Sequence, residues 1–307
     1  MFGIVGSGFG LYGYLPALVR IVGPQKIILP ASYKAIIVSR HDLLKYLNSI
    51  FWVEDVNEVL RASSKLVLAV PPKAQLALVE TILSGSSHAQ YLYLEKPIAP
   101  NPGSSLKLLN SLEEAGIKVK IAYLFRYTDW GMRLIKQTEV MSNSCCIKLV
   151  WNFKAHHIEK NLQNWKGVSQ EGGGILRFYG IHLLAILAEM GYKEAEFSSL
   201  SCCVYGSATQ WQARFVERLL PAFEISMNIS SEVSQFIINF VEIGEKPLNY
   251  FVASDPFEQN VDKEGDDRRI SALTKYLMDE MISKKTNSWH KNVTNLWTAV
   301  ESNSQYK

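Results

Sequence analysis

The chain has 307 residues, 48% hydrophobic and 20% charged, with a formal net charge of +3. That is room for two domains and a sizeable core, and the small dispersed positive balance supplies no basic tract of the kind nucleic acid or an acidic membrane demands. No apolar run approaches the roughly 20 residues that span a bilayer, and the chain opens in a strand-like stretch without a charged leader, so a cytoplasmic protein with neither membrane helix nor signal peptide is expected.

From the N-terminus, short β-rich runs alternate with helical patterns. Strands are expected at 2–5, 26–29, 65–70, 91–94 and 118–123, with helices over 13–22, 55–60, 74–83 and 104–115, the last closed by Gly116. This alternation is the signature of a parallel sheet wound with helices. After Tyr123 the character changes. A helix near 129–137 leads into strand-like runs at 145–153, 197–204, 222–229 and 235–242, interrupted by one helix over 174–190. Strands that follow one another without crossover helices argue for an antiparallel sheet. The expected class is therefore α/β, with a doubly wound parallel sheet of the Rossmann type in residues 1–122 and an α+β domain with a mainly antiparallel sheet in 123–307. The run DKEGDDRR at 262–269 reads as a charged surface loop before a last amphipathic helix.

The four cysteines form two adjacent pairs, Cys145-Cys146 and Cys202-Cys203. Neighbours on a strand face opposite ways, which suits neither a disulfide nor a metal. They read as small apolar strand residues in a reducing compartment, and no metal site is expected.

Three stretches carry candidate chemistry. In FGIVGSGFGLYGYLPALV (2–19), Gly6, Gly8 and Gly10 run as G-x-G-x-G with Gly13 three residues on, whereas a strict dinucleotide fingerprint is G-x-G-x-x-G. Glycines after a strand make either a bare tight turn or a helix N-terminus open to phosphate. The βαβ context puts Gly6, Ser7, Gly8, Phe9 and Gly10 at the carboxyl end of the first strand, where open parallel sheets bind nucleotides. In YLEKPIAPNP, Glu95, Lys96 and Pro97 follow another expected strand at the same edge; a surface ion pair before a turn is the alternative to a site lysine. AVPP (69–72) ends the strand between them, and Pro71 would stiffen a loop passing beneath a cofactor. In EGGGILRFYGIHLLAIL (171–187) a triple-glycine turn feeds a helix on which Phe178 and Tyr179 stand four and three residues before His182, on one face. That histidine is either a satisfied core residue or an acid–base group.

Cofactor choice is read from the end of the second strand. An NAD-selective site offers Asp or Glu about 20 residues beyond the glycines. Here the first acidic residue is Asp42, while Ser32, Lys34 and Arg40 follow the strand. They are solvated loop residues or face a 2′-phosphate, so the reading is NADP or NAD with a lean to NADP.

Together these stretches resemble the glucose-fructose oxidoreductase and inositol dehydrogenase family, Gfo/Idh/MocA, over most of the chain. GFGLYGYLPAL resembles the G-F-G-x-x-x-H-L-P-A loop of some members, with Tyr14 in the histidine's place; WKGVSQEGGGIL resembles the stretch before the family's glycine turn. AYLFRYTDW resembles its strand-to-domain crossover, which implies Arg126 near the cofactor. The resemblance implies a dinucleotide-binding domain, a substrate domain, a small-molecule substrate, and a homo-oligomer, dimer or tetramer, built through the exposed face of the antiparallel sheet. It implies hydride transfer between NAD(P) and a secondary alcohol or ketone of a sugar, polyol or similar metabolite. His182 is then the acid–base group, Lys96 the polarising cation that also touches cofactor, Tyr179 an auxiliary donor, and Glu95 and Pro71 belong to the cofactor side. The family pattern G-G-G-x-L-x-D-x-G-x-H is broken at its aspartate, where this chain has Phe178. Either the substrate is held differently, or the chain is a degenerate dinucleotide-binding protein acting as sensor or assembly partner.

Overall fold

The computed structural model describes residues 1–23, 26–204, 207–242, 248–258, 267–279 and 284–306. By contacts the chain divides into two units: Met1–Ala99, Ser104–Tyr127 and Asn260–Ser288 form one, and Pro100–Gly103, Thr128–Gln259 and Trp289–Lys307 the other.

The first unit holds a six-stranded sheet of β1 (Phe2–Val5), β2 (Ile27–Pro30), β3 (Ile50–Val53), β4 (Lys65–Leu68), β5 (Tyr91–Leu94) and β6 (Lys118–Ile121). Their order is β3-β2-β1-β4-β5-β6 and every pairing is parallel. This is the doubly wound order, whose reversal between β1 and β4 creates the ligand crevice at the carboxyl ends of the strands. β1 and β2 are buried throughout, as central strands covered on both faces must be, and so read as unbroken apolar runs. β3 was not expected. It lies at the sheet edge with Phe51 52% exposed, so its four residues give neither a buried run nor a clean alternation. The helices are α1 (Leu15–Val22), α2 (Lys34–Ser39), α3 (His41–Leu44), α4 (Val56–Ala62), α5 (Pro72–Thr81) and α6 (Pro102–Glu114). Asp55 caps α4 by accepting the Glu58 amide at 2.8 Å, and Glu58 reaches back to the Glu54 amide at 2.7 Å.

The second unit holds a seven-stranded sheet of β7 (Cys145–Lys154), β8 (Phe197–Val204), β9 (Ser207–Phe215), β10 (Ala222–Asn228), β11 (Ser230–Glu242), β12 (Leu248–Ala253) and β13 (Ser304–Tyr306). The order is β12-β11-β7-β10-β9-β8-β13. It is mostly antiparallel, with parallel pairs β7·β10 and β8·β13. Ile147, Leu149 and Trp151 of β7, Trp211 and Phe215 of β9, and Phe236 and Ile238 of β11 turn inward at alternate positions and are buried. β9 was missed because its outward residues, Gln210, Gln212 and Arg214, make a half-buried strand resemble a polar loop, and β12 because it lies at the sheet edge. Helices α7 (Asp129–Thr138), α8 (His156–Glu159) and α9 (Ile181–Met190) belong to this unit. The helical stretch Ser169–Met190 is long and apolar enough by composition to cross a bilayer, which corrects the expectation that no run approaches that length; 72% of the window is buried inside the protein.

The last part of the chain returns to both units: α10 (Ile270–Met278) packs against α1, and α11 (Lys284–Asn303) belongs from Trp289 onward to the second. Residues 262–266 of the charged run lie outside the described residues. At its end Arg268 is exposed, as a surface loop requires, but Arg269 packs its guanidinium on an aromatic ring of the glycine-rich segment. Cys145 and Cys146 are free thiols; the side chains of Cys202 and Cys203 lie outside the described residues.

Candidate functional site

The glycine-rich segment leaves β1 at the carboxyl edge of the sheet and enters α1 through a wide, π-helical turn over Gly10–Tyr14. Gly6 sits at φ +136°, and a Cβ there would lie 2.2 Å from the Ala69 carbonyl oxygen, so this position admits only glycine. Its amide donates to the Tyr33 hydroxyl at 3.0 Å. Gly8 is the opposite case: it is exposed, and a Cβ would meet nothing within 4 Å. The loop is thus cinched against the end of β4 at Gly6 while Gly8, with exposed Ser7 beside it, presents bare backbone outward. That is the cradle a dinucleotide pyrophosphate needs, and the residues fit the group.

Next along the same edge, the turn after β5 is built on a buried glutamine that sequence reasoning missed. Gln75 of α5 donates its side-chain amide to the carbonyls of Glu95 (2.8 Å) and Ile98 (3.2 Å), and its Oε1 accepts the Glu95 amide (3.0 Å). Lys96 is 9% exposed inside this frame, and the Lys96-Pro97 peptide is cis. The Glu95 carboxylate accepts the Tyr14 hydroxyl at 2.7 Å. Burial pushes its pKa up, against the opposing pull of Lys96 and the Tyr14 hydrogen bond. Pro71 is exposed and caps α5 at the end of the β4 loop. Ser32 and Lys34 are exposed just beyond β2. Arg126 stands 3.9 Å from the Asp279 carboxylate, over the ring of Tyr127.

In the second unit the triple-glycine turn locks onto the Trp165–Gly167 turn, where a Cβ on Gly173 would lie 2.2 Å from the Trp165 carbonyl oxygen. Residues Ile175–Gly180 then wind as a π-helical turn before α9. The Phe178 and Tyr179 rings meet edge-on at 4.7 Å within this turn. The Phe178 ring stands edge-on to Trp165 at 5.1 Å, with the Lys166 ammonium 5.3 Å from its centre. Tyr179 also packs on Trp151 and Phe153 of β7, and its hydroxyl lies 3.4 Å from His157 Nδ1. Burial raises the Tyr179 pKa and, with Lys166 and His156 nearby, lowers that of His157. His182 is 6% exposed in the first turn of α9. Arg177 anchors the segment through Glu301 (2.6 and 2.9 Å) and the carbonyls of Ser169 and Pro100. Neither His157 nor Arg177 had a sequence signal, because the side chains they meet, Tyr179 and Glu301, lie more than 20 residues away. Among the described residues, no group of three or more His, Cys, Asp or Glu is arranged to hold a metal ion.

No family model and no curated protein matches the chain by sequence. Solved structures match its fold along nearly the whole length. The WlbA dehydrogenase from Bordetella pertussis, solved with NADH and UDP-GlcNAcA, superposes with a TM-score of 0.71 at 12% identity, covering 98% of this chain and 95% of that one. A 3-ketoreductase from Actinomadura kijaniata, solved with NADP and TDP-benzene, gives 0.70 at 10% identity, covering 99% and 98%. A myo-inositol dehydrogenase from Corynebacterium glutamicum gives 0.70 at 12% identity, covering 99% and 96%. With its 3-2-1-4-5-6 parallel sheet and mostly antiparallel seven-stranded sheet, the chain has the fold of the Gfo/Idh/MocA-type dehydrogenases.

Proposed function

We propose that the protein is an NAD(P)-dependent oxidoreductase that moves a hydride to or from a secondary alcohol or ketone of a sugar, polyol or similarly sized metabolite. The observation that carries this reading is the pairing, on one sheet edge, of an outward-facing Gly8 backbone with a lysine buried in a braced turn two strands away. The superposed enzymes, solved with NADH or NADP and sugar-nucleotide or related ligands, support the same class.

In this reading Gly6, Ser7, Gly8, Phe9 and Gly10 hold the pyrophosphate, with Pro71, Glu95, Lys96 and Arg126 on the cofactor side. Ser32 and Lys34 meet the adenosine ribose, and the absence of an acidic residue there favours NADP. The bound nicotinamide supplies or accepts the hydride. Lys96 polarises the substrate oxygen, His182 moves its proton, and Tyr179 assists as a donor. With Phe178 in place of a carboxylate, the face beside Trp165 offers an aromatic ring near the Lys166 ammonium rather than a hydroxyl acceptor, which suits a less hydroxylated sugar. The compartment is the cytoplasm, and the working form is a dimer or tetramer formed through the open face of the seven-stranded sheet around Lys148, Gln212, Arg214 and Glu224.

The test is a titration with NADPH and NADH by nicotinamide fluorescence, followed by a turnover screen of polyols, free sugars and nucleotide sugars. Saturable binding with turnover of at least one sugar-class substrate is expected. Binding without any turnover would assign the chain to a sensor or assembly role, and no binding would end the dinucleotide reading.

A further inference from the structure

We propose that Arg269 is a positioning residue for the phosphate loop, a clamp supplied from the far end of the chain that holds Phe9, and through it the Gly8–Gly10 backbone, ready for ligand. The inference deepens the dinucleotide reading and rests on it for the ligand, but the clamp itself is visible in the protein alone.

The guanidinium of Arg269 lies 4.0 Å from the centre of the Phe9 ring and 5.6 Å from that of Tyr12. Its plane is set by Asp267, which accepts from Nε at 2.8 Å and from Nη2 at 2.7 Å, and takes the Arg269 backbone amide at 2.9 Å as well. A bidentate pair of this kind fixes orientation as well as charge, and a planar guanidinium stacks on an aromatic face where an ammonium does not. Phe9 in turn fills the space over Gly13: a Cβ there would lie 2.2 Å from the Phe9 ring. The same ring meets Tyr12 and Tyr14 edge-on at 5.4 Å each. Phe9 is thus held on one side by Arg269 and seated on the other against a glycine that leaves room for it. The loop residues flanking it, Gly8 and Gly10, are the ones assigned to the pyrophosphate. A solvated loop would have to pay the ordering entropy on binding; a loop already clamped does not. Arg269 is also close enough to Glu95 and Tyr14 to oppose the rise in their pKa values, so the clamp is electrostatically linked to the Lys96 turn.

The experiment compares the full-length wild type with Arg269→Met, Arg269→Lys, Phe9→Leu and the Phe9→Leu/Arg269→Met double variant. Amide hydrogen exchange over residues 6–14 is read first in the ligand-free protein. Arg269→Met is expected to speed exchange there by about threefold to tenfold, the scale of a partly buried cation–π contact, with exchange in β4–β6 unchanged. Arg269→Lys is expected to rescue only partly. NADPH affinity is read next: each single variant should bind about tenfold more weakly, and the double variant no more weakly than either single one, because Arg269 acts through Phe9. Should Arg269→Met fail to fold, Phe9→Leu reports on the same contact from its other side. Unchanged exchange over 6–14 in a folded Arg269→Met or Phe9→Leu protein would overturn the clamp, as would losses that add in full in the double variant. A wild type that binds no dinucleotide would remove the proposed ligand, while the exchange data would still decide whether the clamp exists.

Discussion

The hydroxyl of Tyr14 donates to Glu95 Oε1 at 2.7 Å, tying the start of α1 to the turn that carries Lys96 across 81 residues of sequence. Tyr14 is wholly buried, and burial is the chief cause of its raised pKa and of that of Glu95. The two stretches that stood out separately in the sequence are therefore one hydrogen-bonded assembly.

Removing the hydroxyl should leave Glu95 with a buried acceptor unpaired. Tyr14→Phe is expected to cost about 1–3 kcal/mol at neutral pH by urea unfolding. The sign with pH follows from the direction of the shift. A carboxyl whose folded pKa is raised opposes folding once it ionises, so stability falls as pH rises above the unfolded carboxylate value. The hydrogen bond from Tyr14 moderates that rise, and the penalty of Tyr14→Phe should shrink on acidification. A penalty that is constant down to about pH 4 would contradict the assignment.

The two loop glycines should respond differently to one substitution. Gly6→Val places a Cβ against the Ala69 carbonyl at a left-handed φ, and is expected to destabilise the fold by at least ~1–3 kcal/mol. Gly8→Val meets open space, so the protein should melt within about 0.5 kcal/mol of wild type yet lose dinucleotide binding. Thermal melts and fluorescence titrations of the pair decide it: a folded Gly8→Val protein with wild-type affinity would move the phosphate site elsewhere.

For the chemistry, His182→Ala is expected to lower kcat by about 10²–10⁴-fold with dinucleotide affinity unchanged, the pattern of a lost proton-transfer group. Lys96→Ala should lose turnover and weaken binding as well, since a cation in the cofactor edge acts in both ground and transition states. Steady-state kinetics on the substrate found by screening, with a parallel binding titration, separates the two. Full activity in His182→Ala would transfer the proton role to another group.

Lys120 supplies a pH prediction away from the chemistry. It lies in β6, 2% exposed, and its ammonium donates to the carbonyls of Tyr276 and, at 2.7 Å, Asp279 at the end of α10. Burial lowers its pKa to about 8; Asp279 opposes the shift and Arg126 adds to it. The unfolded lysine titrates near 10.4, so between pH 8 and that value the unfolded chain binds more protons and stability rises with pH. Below pH 8 the full penalty persists, on the order of 3 kcal/mol for a shift of that size. Comparing denaturant unfolding of wild type and Lys120→Met from pH 7 to 9.5, the difference should change in favour of the wild type as pH rises. A pH-independent difference would mean that Lys120 stays charged throughout.

Local chemistry makes much of this protein legible in its sequence. Buried parallel strands must be unbroken apolar runs, so β1, β2, β4 and β5 could be read directly, and the glycines after β1 and the Glu-Lys-Pro turn after β5 marked the ligand edge because strand ends in a doubly wound sheet share one side. Edge strands escaped this logic: β3, with Phe51 exposed, and β12, with Leu248 and Val252 exposed, are buried on too few sides to leave a pattern. What only tertiary structure decided was which distant residues complete each local motif. Gln75 braces the Lys96 turn, Tyr33 meets the Gly6 amide, His157 meets Tyr179, and α10 returns after the segment Thr128–Gln259 to pack on α1 and bring Arg269 onto Phe9. Hydrophobic periodicity reports which face of an element is buried; it carries no information about the polar group that will meet it there, because that partner is chosen by chain topology.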